Sequence, residues 1–413
     1  MNPYVTTVLV GSLLLVGCNG SDKKTSKSTG TTTPTSTGTT SAGTTPGTGT
    51  TTPQNALGIE DTIPSVLGAD YTKHFNRYTK ITAPNGNPIH ILAQNTISVN
   101  QIIRARGVLQ HFLTDLPNSL YGNDKSAIAN KMADNNAMLL LLNGKDDGKN
   151  PAAMLDGQPL YFEEMQTEGD SWYISQDYEN HRDATYEEIL HLVHDYGIGV
   201  DGNASFDGAS PNFQAEIRAA QQNALSNNLW GLGAADWITE LTQENSLSQE
   251  YLAAVVDVYY GLWGASQENG MGGLYVAKDR ASIGTQDPTG QTLLDNKFFH
   301  PHLTYNARID ETFTGTFSLT FDASLPYTHH SRYLKNVTLT GENDSNVTVN
   351  ELDNDITGNS GVNTVIFTGP SFEYGIENNG TTVVVTDYQD DRDGTNTLKM
   401  VETLQFSDST TTL

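Results

Sequence analysis

Between Thr185 and Gly197 the chain reads Thr-Tyr-Glu-Glu-Ile-Leu-His-Leu-Val-His-Asp-Tyr-Gly, so Glu187, Glu188, His191, His194 and Asp195 crowd into nine residues. On an α-helix, at about 100° per residue, Glu187, His191 and His194 fall within an arc of roughly 60°. Ile189, Leu192, Val193 and Tyr196 gather on the other side, which predicts one apolar face for the core and one polar face, ended at Gly197. Neutral imidazole nitrogens and carboxylate oxygens are what a zinc ion takes, and residues four apart on one helix reach the same ion. Glu188, beside the first of these ligands, is placed to take a proton from a metal-bound water. The same residues also fit plain helix capping: Thr185 and Glu188 have capping-box spacing, acidic residues suit a first turn, and histidine suits a last one.

In that register the stretch resembles the His-Glu-x-x-His helix of zincin metallopeptidases, with Glu187 in the slot of the first histidine, Glu188 as base and His191 as second ligand. The resemblance implies a third ligand from a later helix. Ser246 to Tyr260 opens Ser-Leu-Ser-Gln-Glu-Tyr-Leu-Ala and is similar to the segment in which glutamate-zincins place that ligand, which implies Glu250. The implied metal set is His191, Glu250 and either Glu187 or His194, the latter through the pair His191-x-x-His194. Glu240 and Glu244 are further carboxylates on the way, each also readable as a solvated helix face. Zinc as cofactor, a peptide or protein as substrate, and hydrolysis by an activated water all follow from the resemblance.

The elements that must position these residues alternate between periods of strand and helix from about residue 56 to residue 310. Pro88 to Ala93 and Met138 to Leu142 read as apolar strands, with Leu160-Tyr161-Phe162 and Trp172-Tyr173-Ile174 as further strand candidates. Ser98 with Gln101 predicts a capped helix through about Leu116, Ser126 to Asn136 a second, and Ser210-Pro211 the start of a long one through Ala224. This region reads as a mixed helix and strand, zincin-like domain.

Residues 311–413 change character, becoming rich in Thr, Asn, Asp and Gly with short alternating runs such as Thr316 to Phe321, which reads as all β. Segments beginning at Gly341, Asn350 and Asn359 repeat with a period of nine and place Val347, Ile356 and Val365 in register, one inward apolar residue per coil. The pattern resembles the RTX or haemolysin-type parallel β-roll, whose family binds calcium through its turns. The motif's aspartate positions hold Ser345, Asn354 and Asn363, while Asp344, Asp353 and Asp355 stand nearby as calcium oxygen donors. Stacked asparagines are the alternative, holding such turns without metal. The order of segments from Asn363 to Asp408 is also similar to the region that closes many RTX proteins. The whole is an α+β chain with a β-roll-like C-terminal part.

Residues 1–18 carry an apolar run, Val8 to Gly17, too short to span a bilayer, and end in Leu-Val-Gly-Cys, which resembles a bacterial lipobox. The resemblance implies cleavage before Cys18, the only cysteine, and lipidation there, which predicts a lipid-anchored protein of the bacterial cell envelope, in the outer membrane or at the surface. Residues 19–55, almost wholly Thr, Gly, Ser and Pro, read as a tether without a core. With 48 acidic against 22 basic residues the net charge is −26, which opposes nucleic-acid binding. Two functions fit: a surface-anchored zinc peptidase, or a non-catalytic surface lipoprotein that uses its β-roll for calcium binding or adhesion. His300, His302, His329 and His330 read as isolated surface residues.

Overall fold

The computed structural model describes residues 57–201 and 208–413, so the Cys18 lipobox and the whole tether of residues 19–55 lie outside the described residues. The chain is α+β, with a helix and strand region followed by a strand-rich one. After α1 (Ala69–His74), a four-stranded sheet forms from β1 (Arg77–Thr82), β2 (Pro88–Ala93), β3 (Met138–Leu142) and β4 (Gln158–Tyr161), in that spatial order. β1 and β2 are an antiparallel hairpin, while β2, β3 and β4 run parallel. Strands covered on both faces read as continuous apolar runs, which is why Ile89, Ile91 and Leu92 on β2 and Leu139 to Leu142 on β3 are all buried.

One face of this sheet carries α2 (Val99–Leu113) and α3 (Ser126–Asp134). α2 starts where Ser98 accepts the Gln101 amide N–H and Gln101 accepts that of Ser98, the predicted capping box. The other face buries Phe75, Tyr78, Leu140, Leu142 and Tyr161 in a smaller core. Trp172-Tyr173-Ile174 is not a strand. It forms α4 (Ser171–Ser175), because the Asp170 carboxylate caps the turn by accepting the Tyr173 amide N–H, and Tyr173 then stacks on Phe317.

α5 (Thr185–Val193) is the helix of interest, and every one of its residues is buried. The expected apolar and polar faces are both interior, so its carboxylates and imidazoles lie within the protein. Thr185 does not cap it: Ala184 holds that position, and the Thr185 hydroxyl accepts from Arg104. Nor does the helix stop at Gly197. It widens into a π turn over His194–Ile198 and leaves at Gly199, whose φ of 104° suits glycine. α6 (Pro211–Ser226), α7 (Ala235–Glu244) and α8 (Leu247–Tyr259) follow, and α8 packs along α5. Ser210 precedes α6, with Pro211 at its first position, but its side chain makes no cap bond. α9 (Arg280–Gln286) and α10 (Pro288–Leu294) complete the helical region.

The strand-rich part has two sheets. One runs β11 (Tyr374–Asn378), β12 (Val383–Asp387), β13 (Thr395–Lys399), β9 (Asp355–Thr357), β7 (Leu334–Leu339) and β5 (Leu303–Ile309). The other runs β15 (Thr410–Thr412), β14 (Thr403–Gln405), β10 (Thr364–Ile366), β8 (Ser345–Thr348) and β6 (Gly315–Ser318). A short helix, α11 (Thr328–Ser331), lies between β6 and β7. Val347 pairs in parallel with Val365, whereas Ile356, midway between them, pairs with Val337 and Leu398 in the opposite sheet. The nine-residue period is therefore half a coil. Each coil takes two segments and offers one inward apolar residue to each sheet, because the chain must cross between the sheets to continue. β5 joins this architecture ahead of residue 311, pairing with β7 and packing against α2, and one continuous core runs through both regions.

Asparagines hold the corners of the coils. Asn354 Nδ2 donates to the Lys335 carbonyl and to Asn350 Oδ1, and Asn363 Nδ2 donates to the Ser345 carbonyl and to Asn359 Oδ1. All four are buried.

Candidate metal centre

Glu187 and His191 project from α5, one turn apart, toward the first turn of α8, where Glu250 sits. One ligand atom from each of the three lies within 4.8 Å of the others, and all three residues are buried. Among the described residues this is the one group of three or more metal-ligating side chains gathered so closely. The His191 ring lies between two carboxylates, with Nδ1 3.6 Å from Glu188 Oε2 and Nε2 3.7 Å from Glu250 Oε1. Two carboxylates and one imidazole are a donor set that suits zinc with a remaining position for water. These residues fit the metal that the resemblance implies.

Burial sets the electrostatics. It pushes the Glu250 carboxyl up to about 8; the charges of Glu187 and Glu188 push the same way, and His191 opposes them. Glu164, whose backbone carbonyl accepts the Ala184 amide N–H at the start of α5, has its carboxyl pushed up to about 7, first by burial and then by Glu188. A site that raises carboxyls this way calls for positive charge.

Part of that charge is internal. Arg182, three residues before α5, places Nη2 2.5 Å from Glu187 Oε2, with a third of its side chain exposed. Burial works against its charge, but Glu187, Asp257, Glu164 and Glu188 hold it above its ordinary value. Asp257, two turns beyond Glu250 on α8, is 2% exposed, and its carboxyl is held well above the usual range, first by burial and then by Glu187.

Comparison with protein-family models, curated proteins and solved structures finds no match for this chain.

The geometry separates the candidate residues. His194 does not join the cluster: where the helix widens, its Nε2 turns to Gln214 Oε1 of α6 at 2.5 Å, and burial lowers its pKa to about 4. Asp195, Glu240 and Glu244 also stand outside it. Glu188 is beside the cluster, and its Oε2 accepts a 2.6 Å hydrogen bond from Gln158 Nε2 on β4. Asp344, Asp353 and Asp355 are exposed and do not converge: Asp344 Oδ1 accepts the Val362 amide N–H and Asp353 Oδ1 that of Thr395. His330 is no surface residue; it is buried, with Nδ1 against the Tyr260 carbonyl.

Three residues at the site escape the sequence motif. Asp257 could have been found, as an acid on an otherwise apolar helix seven positions after Glu250. Arg182 carried a weak signal, a cation just ahead of an acidic first turn. Gln158 carried none, since only the parallel pairing of β3 and β4 brings it over α5.

A buried ion network fixes the start of α5 from behind. Arg104 of α2 binds Glu168 through Nε at 2.8 Å and Asp183 through Nη2 at 2.6 Å, and its Nη1 donates to Thr185. Tyr305 on β5 donates to the same Glu168. The strand shared with the β-roll thereby reaches the residues at the start of α5.

Proposed function

We propose that this chain is a zinc-dependent peptidase of the bacterial cell envelope, anchored through Cys18. The observation that carries the reading is the convergence of Glu187, His191 and Glu250 from two packed helices, with Glu188 beside them. Glu187, His191 and Glu250 would hold the ion. When bound, zinc would lower the pKa of a coordinated water and polarise a substrate carbonyl.

Glu188 does the proton work in this reading. Gln158 holds Oε2, which leaves Oε1 to take the proton and later deliver it to the leaving amine. His191 lies between Glu188 and Glu250, whose carboxylates on either side favour this placement of its ring. The β-roll, continuous with the core, supports presentation of the domain at the cell surface or binding to partners there, with its turns held by asparagine.

A second reading rests on Arg182. Its ion pair with Glu187 supplies positive charge where a metal would, which favours a non-catalytic surface protein that keeps the same scaffold.

Metal analysis of the full chain tests both. Zinc bound near one equivalent, lost in His191→Ala and kept in Glu188→Gln with casein cleavage abolished, supports the peptidase. A folded wild type that takes up no zinc overturns it in favour of the second reading.

A further inference from the structure

Glu187 belongs to two groups at once. It is a member of the metal-ligating cluster, and it is also the partner of Arg182. A carboxylate oxygen that holds a guanidinium at 2.5 Å has lost much of its attraction for a dication, so the two cations compete. Their surroundings differ: the Arg182 side chain is a third exposed, at the rim, whereas that of Glu187 is 6% exposed. A long side chain at the rim can move while a buried short one cannot.

Arg182 also has somewhere to go. Asp257 lies deeper along α8, and its Oδ1 is buried and finds no hydrogen-bond donor among the described residues. Trp263 bonds the Asp257 carboxyl, but a buried carboxyl oxygen left without a donor is costly, and a guanidinium is the donor that relieves it best. Asp257 and Arg182 already feel each other's charge. Asp183, the next residue in the chain, is clamped by Arg104, so the backbone stays in place while the Arg182 side chain turns.

We infer that Arg182 is a latch on the metal centre: it holds Glu187 when the ion is absent, and it passes to Asp257 when the ion takes Glu187. This rests on the proposed zinc site. The exchange breaks one N–H to Oε2 hydrogen bond and forms one to Oδ1, and the proton that burial keeps on Asp257 leaves to solvent as the guanidinium arrives. Arg182 thereby sets how tightly the site holds its metal, and Asp257 is the positioning residue that receives it.

Titration of Zn²⁺ into the metal-stripped full chain, followed by competition with a chromophoric chelator, reads the latch directly. Arg182→Met should tighten Zn²⁺ binding by about tenfold, while Asp257→Asn, which removes the second seat, should weaken it by about as much. In the double variant the Asp257 change should have no further effect. Arg182→Met should also lower the melting temperature of the metal-free protein yet increase its rise on adding Zn²⁺. A purely structural arginine would lower the melt without raising affinity. Wild-type binding that Arg182→Met leaves equal or weaker overturns the latch alone. Absence of binding from both proteins overturns the metal-centre reading and the latch with it. Should Asp257→Asn fail to fold by circular dichroism, the Arg182→Met comparison decides the matter.

Discussion

His191 on α5 faces Glu250 on α8 at 3.7 Å, although fifty-nine positions separate them in the chain. The contact places α5 and α8 face to face at the point where Glu187 joins them. Burial pushes the Glu250 carboxyl up to about 8, so near neutral pH the metal-free protein gains little from its charge. A carboxyl raised in this way binds more protons folded than unfolded at pH 7 and so costs stability, and Glu250→Gln should leave the metal-free chain at least as resistant to urea as wild type. The same variant should lose Zn²⁺ binding. A large loss of stability in the metal-free state would show that Glu250 is there for packing.

Arg104 binds two buried carboxylates, Glu168 and Asp183, and removing it leaves both without their cation. Arg104→Met should cost about 3–5 kcal/mol in urea unfolding. Because Tyr305 of β5 shares Glu168, the loss should appear at one midpoint by tryptophan fluorescence and by far-ultraviolet circular dichroism alike. Two separated transitions would mean that the roll and the helical region unfold independently.

Lys125 supplies the pH dependence. It is 1% exposed, donates to the Phe112 carbonyl, and lies over the Phe298 ring, and burial lowers its pKa from 10.5 to about 7. Between those two values the folded protein binds fewer protons than the unfolded one, so stability rises as pH increases from about 7 toward 10.5. The buried carboxyls of Glu250 and Glu164 oppose this trend up to about pH 8, so the lysine shows as a difference: the change in unfolding free energy from pH 7 to 8 to 9 should be more positive in wild type than in Lys125→Met. Equal slopes in the two proteins would place the lysine's charge in solvent.

In the β-roll, Asn363 accepts the Asn359 amide N–H and donates to Asn359 and to the Ser345 carbonyl. Asn363→Ala leaves buried partners unsatisfied, at about 1–3 kcal/mol for each. Hydrogen exchange of the β8, β9 and β10 amides should quicken in this variant. A calcium-selective chelator should leave the same amides unchanged in wild type, because Asp344 and Asp353 are engaged with backbone amides and do not converge. Faster exchange on chelation would restore calcium to the turns.

What could be read in advance divides along local and non-local lines. The strands at Pro88 and Met138, the Ser98 cap and the α5 and α8 helices are local patterns, and they are where the sequence places them. Glu187, His191 and Glu250 were legible as a set because helix spacing and a family resemblance name them without knowledge of the path between. Whether Glu187 or His194 completes the set was not, since an ideal helix puts both on one side. The π turn at His194 and the Gln214 amide on α6 decide it, and neither has a local signature. Trp172-Tyr173-Ile174 failed in a similar way: aromatic and β-branched residues favour strands, but the Asp170 cap and the stacking of Tyr173 on Phe317 outweigh that preference. Thr185 with Glu188 had the spacing of a cap, yet a buried arginine from another helix claims the hydroxyl.

The half-coil period of the roll gives its sequence something like a reading frame. Val347 and Val365 share a sheet, and Ile356 belongs to the other. Adding or removing one nine-residue segment would send every later strand to the opposite wall, set β13 and β14 against the wrong neighbours, and misplace the closing strands. Only paired segments keep phase, so growth or loss of this part of the chain is counted in whole coils.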